Sequence, residues 1–200
     1  MNERLLLVID VQQAFCDVYG SLAQAYGEQE LEMITPCLAA LDAFLANYPC
    51  PEDVFLIRSE YQPGQFTAGD LYHPFAQACV PGLISDCGWS LSGDAIKGKR
   101  VITKTQESLA TVPGFIEELR SMLNEGLTEI SIAGFLTTSC VRKTALDIRQ
   151  SLPMNVAVGV LEGFSASRAS NYIALDGCEF SRHDLALREM AAAGIGILIN

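Results

Sequence analysis

The feature that most restricts the fold of this chain is an uninterrupted apolar run near its beginning. Residues 5–9 read LLLVI, and the run ends at Asp10. A strand without polar alternation has both faces covered, which is typical of a central strand in a parallel sheet flanked by helices. The run therefore predicts an α/β fold, and it places a carboxylate at the carboxyl end of the first strand.

Strand and helix patterns alternate along the rest of the chain. Predicted strands follow at 54–58, 101–103, 129–134, 156–161 and 196–199, and the main helices at 28–47, 115–123, just after Cys140, and 182–193. Right-handed crossovers from a central first strand give a three-layer α/β sandwich, with a six-stranded, mainly parallel sheet in the order 3-2-1-4-5-6. The segment 59–99 is too long for a simple connection, and such loops are often functional.

Composition excludes several classes of function. The 200 residues carry a net charge of −11 with a pI near 4.5, whereas a nucleic-acid-binding protein needs a basic face. No apolar run reaches the roughly 18 residues of a membrane span, and no secretory leader is recognised. The seven cysteines show no CxxC spacing, so reduced thiols are expected. We therefore expect one cytoplasmic domain over residues 1–200, without nucleic-acid or membrane partners.

Three ionisable residues follow predicted strands, at the edge where chemistry gathers in parallel sheets. Asp10 ends the first strand, Lys104 the third, and Cys140 comes soon after the fourth. A carboxylate can take the proton of a thiol, and an ammonium can stabilise the thiolate and the anion formed after attack. Simpler interpretations exist: Asp10 as a helix cap or metal ligand, Lys104 as a surface lysine, and Cys140 as a buried structural thiol.

The stretch around Cys140 supplies the candidate nucleophile. It reads as a buried strand that ends at Gly134, followed by an amphipathic helix with Arg142 and Arg149 turned away from the core. Residues 137–139 can cap that helix, which places Cys140 in its first turn. There the helix dipole and the free N–H groups favour a thiolate and can hold an oxyanion.

Three short motifs occur in order along the chain. They are Asp10, Gln12 and Phe15; Lys104 and Ser108; and Gly134, Thr137, Cys140 and Val141. Each motif is modest alone, but the series is specific. It resembles the isochorismatase-like cysteine hydrolases, which include nicotinamidases and N-carbamoylsarcosine amidase, and the resemblance covers nearly the whole chain.

The resemblance implies a catalytic triad in which Cys140 is the nucleophile, Asp10 the base and Lys104 the electrostatic partner. It also implies a non-proline cis peptide between Phe135 and Leu136, which aims the Leu136 N–H, with that of Cys140, at an oxyanion. The implied activity is hydrolysis of a C–N bond in a small amide or carbamoyl compound through a thioester, with no cofactor. Such proteins are commonly oligomers, so a homodimer or homotetramer is expected.

The chain departs from the nicotinamidases that it resembles at their metal site. Their Asp-x-His pair corresponds here to Ser59 and Tyr61, and a later His to Ala78. The chain has only two histidines, His73 and His183, so a site with several His ligands is hard to assemble. A metal-free enzyme is therefore expected, with His183 structural and His73 at most a lone ligand.

The predicted substrate-binding residues are Gln12, Phe15, Arg58 and Tyr61. Arg58 can clamp a substrate carboxylate through its planar fork of donors, or it can form a salt bridge with a nearby acid. Two other functions stay open at this point. One is isochorismatase-type hydrolysis of a non-amide bond, with Cys140 incidental, and the other is a non-catalytic relative that binds a small molecule or a partner protein.

Overall fold

A six-stranded sheet forms the centre of the computed structural model, which describes residues 3–83 and 86–199. All five neighbouring pairs are parallel, and the order is β3-β2-β1-β4-β5-β6. The strands are β1 (Arg4–Ile9), β2 (Val54–Ser59), β3 (Arg100–Lys104), β4 (Glu129–Phe135), β5 (Ala157–Ala166) and β6 (Gly196–Leu198). The predicted α/β class and strand order are confirmed.

Helices cover both faces of the sheet. They are α1 (Gln13–Cys16), α2 (Ser21–Tyr26), α3 (Ile34–Ala46), α4 (Gly93–Ile96), α5 (Phe115–Asn124), α6 (Arg142–Ser151) and α7 (Arg182–Ala192). Alternate residues of β1 join two separate apolar clusters: Leu6 and Val8 pack with α3, whereas Leu5, Leu7 and Ile9 pack with α5 and α6. This explains why the run at 5–9 has no polar alternation. Among the described residues, no helix has the length and apolar character needed to cross a membrane.

The helix predicted over 28–47 is divided in the structure. A 3-10 turn covers Glu28–Leu31, and α3 begins only at Ile34. Pro36 lies in the first turn of α3. The backbone N–H groups of a first turn have no acceptor within the helix, so the absence of an N–H in proline costs no hydrogen bond there. A helix continuing from upstream would press the proline ring against the Glu32 carbonyl, so the prediction of one continuous helix is wrong at its start.

The turn that carries Cys140 also differs from the prediction. Residues Thr137–Val141 form a π-helical turn, and α6 starts after it, with no side-chain cap on either element. The Thr138 N–H donates to Ser167 Oγ at 3.0 Å, and Ser139 Oγ donates to Glu107 Oε1 at 2.6 Å. These polar groups connect the turn to neighbouring loops, so the prediction that residues 137–139 cap a helix is wrong.

Arg149 is buried, although the helical pattern predicted that it faces away from the core. Its side chain closes the end of α6, because Nη1 donates to the Val156 carbonyl at 2.6 Å and Nη2 to the Leu152 carbonyl at 2.9 Å. A guanidinium has five donors, so backbone carbonyls can satisfy it inside the protein. Burial of Arg149 was therefore not visible in the spacing of apolar residues.

Gly134 allows β4 to approach β1 closely, shortly before the turn that carries Cys140. Its φ is 111°, and a Cβ at this position would overlap the Ile9 carbonyl oxygen.

We expect Gly134→Ala to lower the free energy of unfolding by about 3 kcal/mol or more, measured by urea titration. Gly126→Ala is the matched control, because its φ is 112° but an added Cβ would have no described atom within 4 Å other than those of its chain neighbours. This variant should cost only about 1 kcal/mol. Equal losses in the two variants would contradict the close-approach argument.

Candidate active site

Asp10 occupies a strained position at the end of β1. Its φ is 52°, in the left-handed region that few residues other than glycine adopt, and its N–H donates to the Ile57 carbonyl at 2.8 Å. Backbone strain of this kind costs about 1–3 kcal/mol and is common at functional sites. The carboxylate is fully buried, and it does not cap the helix that follows, because α1 has no side-chain cap.

Lys104, at the end of β3, pairs with Asp10 inside the protein. Nζ lies 2.8 Å from Asp10 Oδ2, and both side chains have no exposed surface. The ammonium also donates to Ser59 Oγ at 2.7 Å, the Tyr61 hydroxyl at 3.0 Å and the Gln106 carbonyl at 3.1 Å. Burial by itself lowers the pKa of Lys104, but the charges of Asp10 and Cys140 outweigh it and raise that pKa above its usual value. Lys104 is therefore a cation in the site.

Cys140 lies beside this ion pair, and its Sγ is 3.6 Å from the Tyr61 hydroxyl. Burial raises the pKa of the Cys140 thiol to about 12; the Lys104 ammonium lowers that pKa and the Asp10 carboxylate raises it. The prediction of a thiolate favoured by a helix end is wrong for the resting state, because desolvation of the thiolate outweighs the nearby cation. Ionisation of Cys140 therefore requires a base at the moment of reaction.

An apolar cavity of about 210 Å³ opens onto the Cys140 sulfur. Its walls are Phe15, Tyr61, Phe66, Phe75, Glu107, Phe135, Leu136, Ser139 and Cys140. Glu107 is the charged residue among them, and it also contacts Ser139 and Lys143. The cavity suits a small, largely apolar molecule with one polar group directed at the sulfur.

Two of the four predicted substrate-binding residues, Phe15 and Tyr61, line this cavity, and two do not. The Gln12 side chain is fully buried and holds β2 in place: Oε1 accepts from the Ser59 N–H at 2.6 Å, and Nε2 donates to the Cys87 carbonyl at 2.9 Å. Arg58 pairs with Glu60 at 2.6 Å and donates to Thr103 at 3.0 Å. The salt-bridge interpretation of Arg58 therefore agrees with the structure.

Several wall residues were missed by the sequence reasoning. Phe66 and Phe75 come from the long segment 59–99, whose length indicated a functional loop but not which of its residues contact the cavity. Glu107 and Ser139 had a detectable signal, because each lies within three residues of a predicted catalytic position. Ser59 was noted as a departure from the family pattern, but its contacts with Asp10 and Lys104 were not foreseen.

The strand-to-turn junction before Cys140 contains the cis peptide at the position that the resemblance implied. The bond between Phe135 and Leu136 is cis. Leu136 and Cys140 both line the cavity, so the two residues whose N–H groups were predicted to form an oxyanion hole lie at one site.

The residues at the implied metal site do not suit a metal ion. The Ser59 and Tyr61 hydroxyls both accept from the Lys104 ammonium, and neither residue supplies the carboxylate or imidazole of the Asp-x-His pair. His73 Nδ1 accepts from the Phe75 N–H at 3.1 Å, and His183 is buried against Tyr172. Within residues 3–83 and 86–199, no group of three or more His, Cys, Asp or Glu could hold a metal ion. We therefore assign no reaction step to one.

Fold and site together define an α/β protein with a buried acid, lysine and thiol at the carboxyl ends of three strands, beside an apolar cavity. The isochorismatase domain family matches residues 4–158. The chain therefore belongs to the isochorismatase-like cysteine hydrolase family, as its motifs predicted, and it is a hydrolase.

Relatives within this family agree with that assignment. The chain is 28% identical over 168 residues to the nicotinamidase/pyrazinamidase of Mycobacterium tuberculosis, covering 82% of this chain and 88% of the relative. Its fold is similar to the pyrazinamidase of Pyrococcus horikoshii in complex with zinc, with a TM-score of 0.69 and 19% identity over the whole of both chains. The fold is also similar to an L. infantum protein in complex with nicotinate. That comparison has a TM-score of 0.67 and 21% sequence identity, and it covers 98% of this chain and 92% of the other.

Proposed function

We propose that this hydrolase cleaves the C–N bond of a small carboxamide through a thioester on Cys140, without a metal ion. The observation that carries the proposal is the fully buried Asp10–Lys104 ion pair beside the Cys140 sulfur at an apolar cavity. The relative named nicotinamidase/pyrazinamidase supports an amide substrate. The largely aromatic walls favour a substrate whose acyl group is flat and uncharged.

Acylation begins with transfer of the thiol proton. Asp10 Oδ2 faces the Lys104 ammonium at 2.8 Å, and a carboxylate oxygen has a second lone pair that can take the Cys140 proton. The thiolate attacks the amide carbon, and the N–H groups of Leu136 and Cys140 hold the oxyanion. The C–N bond then breaks, the departing nitrogen takes the proton from Asp10, and a thioester remains on the sulfur.

Hydrolysis of the thioester reverses these roles. Asp10 takes a proton from water, the hydroxide attacks the acyl carbon, and the carboxylic acid leaves as the thiol is protonated again. Throughout the cycle, the Lys104 ammonium lies next to each negative charge that forms on Asp10 or Cys140.

The test is release of ammonia from a panel of small primary amides that includes nicotinamide and pyrazinamide, combined with mass analysis of acid-quenched enzyme. Trypsin releases residues 121–142 with Cys140 as their sole cysteine, and residues 169–182 with Cys178 as theirs. We expect an acyl adduct on the first peptide and none on the second. Hydrolysis of ether or ester compounds, with no ammonia from any amide, would establish the isochorismatase-type alternative instead.

A further inference from the structure

The two hydroxyl groups next to the ion pair form a hydrogen-bonded path from Asp10 to Cys140. Ser59 Oγ lies 2.9 Å from Asp10 Oδ1 and 2.6 Å from the Tyr61 hydroxyl, and that hydroxyl lies 3.6 Å from Cys140 Sγ. Ser59, Asp10 and Tyr61 are all buried, with at most 3% of any of them exposed. The acid–lysine–thiol scheme alone has no role for either hydroxyl.

Counting protons fixes the direction of these bonds. Ser59 has one hydroxyl proton and two acceptors in reach, and an ionised Asp10 can only accept. The proton between Ser59 and Tyr61 therefore belongs to Tyr61. Because Lys104 already donates to both oxygens, the single Tyr61 proton has two remaining destinations, Ser59 Oγ and Cys140 Sγ.

We propose that Tyr61 is a catalytic residue that donates its hydroxyl hydrogen bond to the Cys140 thiolate, and that Ser59 is the positioning residue that accepts the same hydrogen bond in the resting enzyme. This inference rests on the proposed function of Cys140 as the nucleophile. When Cys140 loses its proton to Asp10, the sulfur becomes the stronger acceptor, and rotation about the phenolic C–O bond moves the Tyr61 proton to it. No heavy atom has to move for this exchange.

The electrostatics of the site agree with a donor role for Tyr61. Burial and the nearby Asp10 and Cys140 charges raise the pKa of Tyr61 well above its usual range, so its proton stays on the hydroxyl. Its hydrogen bond to the sulfur acts to lower the pKa of Cys140. The other charged groups that face Cys140 are Asp10 and Lys104 in the buried pair and Glu107 on the cavity wall.

The test is the pH profile of Cys140 alkylation by iodoacetamide, read on the tryptic peptide 121–142, which needs no substrate. In Tyr61→Phe we expect the rate to fall about tenfold at each pH below the thiol pKa, since a hydrogen bond to a charged group is worth about one pKa unit or more. The ring remains, with its edge contact to Phe66. The variant should fold, because Lys104 keeps three acceptors, Asp10, Ser59 and Gln106, for its three protons.

Two further variants separate a specific donor from a disturbed site. Tyr48→Phe is the matched control, because Tyr48 lies with Arg4 at the opposite end of β1, and its profile should equal that of the native chain. Ser59→Ala removes the competing acceptor, so its Cys140 should react at least as fast as in the native chain. An unchanged profile in Tyr61→Phe, an unfolded Tyr61→Phe, or an equal loss in Ser59→Ala would overturn the proposal.

The outcome is distinguishable from failure of the proposed function. If Cys140→Ala abolishes amide turnover while Tyr61→Phe leaves the alkylation profile unchanged, the nucleophile stands and the role of Tyr61 is wrong. If Tyr61→Phe shifts the profile and slows amide turnover about tenfold, both stand. If Tyr61→Phe shifts the alkylation profile but Cys140→Ala keeps full amide turnover, the hydrogen bond from Tyr61 to Cys140 stands. In that case the role of Cys140 as the nucleophile is wrong.

Discussion

Replacement of Cys140 by alanine should abolish amide hydrolysis. Loss of a nucleophile removes the covalent route, and such losses are on the order of 10⁴–10⁶ in kcat. The sulfur lies at the cavity wall, next to the buried ion pair, and Cys140 is the one cysteine among the described residues that line this cavity. Steady-state ammonia release, measured once a substrate is known from the amide panel, gives the ratio directly.

Controls for this experiment come from the chain itself. Cys178→Ala removes an exposed cysteine away from the cavity and should keep native turnover. Cys140→Ser should keep only a trace, because a hydroxyl is far harder to ionise than a thiol beside the same Asp10. If Cys140→Ala retains essentially full turnover and a native circular dichroism spectrum, the cysteine is incidental and the non-amide alternative replaces our proposal.

The sheet and the principal site residues were predictable because they depend on strand geometry. A parallel sheet brings the carboxyl ends of its strands to one edge, so residues that follow β1, β3 and β4 must meet there. Asp10, Lys104 and Cys140 could therefore be selected from the sequence without knowledge of any side-chain contact. The structure brings all three together around the Lys104 ammonium.

The properties that the sequence did not reveal depend on tertiary surroundings. A helix end suggested a low pKa for Cys140, but burial of the thiol has the opposite and larger effect on that pKa. Ser59 and Tyr61 are ordinary polar residues in the sequence, and only the buried ammonium turns their hydroxyls towards Asp10 and the sulfur. Cavity walls drawn from the irregular segment 59–99 have no periodicity by which they could be recognised.

Replacement of Lys104 by methionine should cause the largest loss of stability. Lys104 and Asp10 are both fully buried, and removal of one partner leaves an uncompensated charge in the core. Such changes cost about 3–5 kcal/mol, whereas removal of both charges costs much less. Methionine keeps most of the lysine volume, so the loss reports the charge and its hydrogen bonds more than a cavity.

Urea unfolding of Lys104→Met, Asp10→Asn and the double variant separates these contributions. We expect each single variant to lose about 3–5 kcal/mol and the double variant to lose less than either single variant, because no unpaired charge is left in the core. Lys97→Met, at an exposed lysine that directly follows α4, is the control and should stay within about 0.5 kcal/mol of the native chain. If Lys104→Met costs no more than Lys97→Met, the buried pair contributes nothing to the fold. In that case the electrostatic role assigned to Lys104 would be wrong.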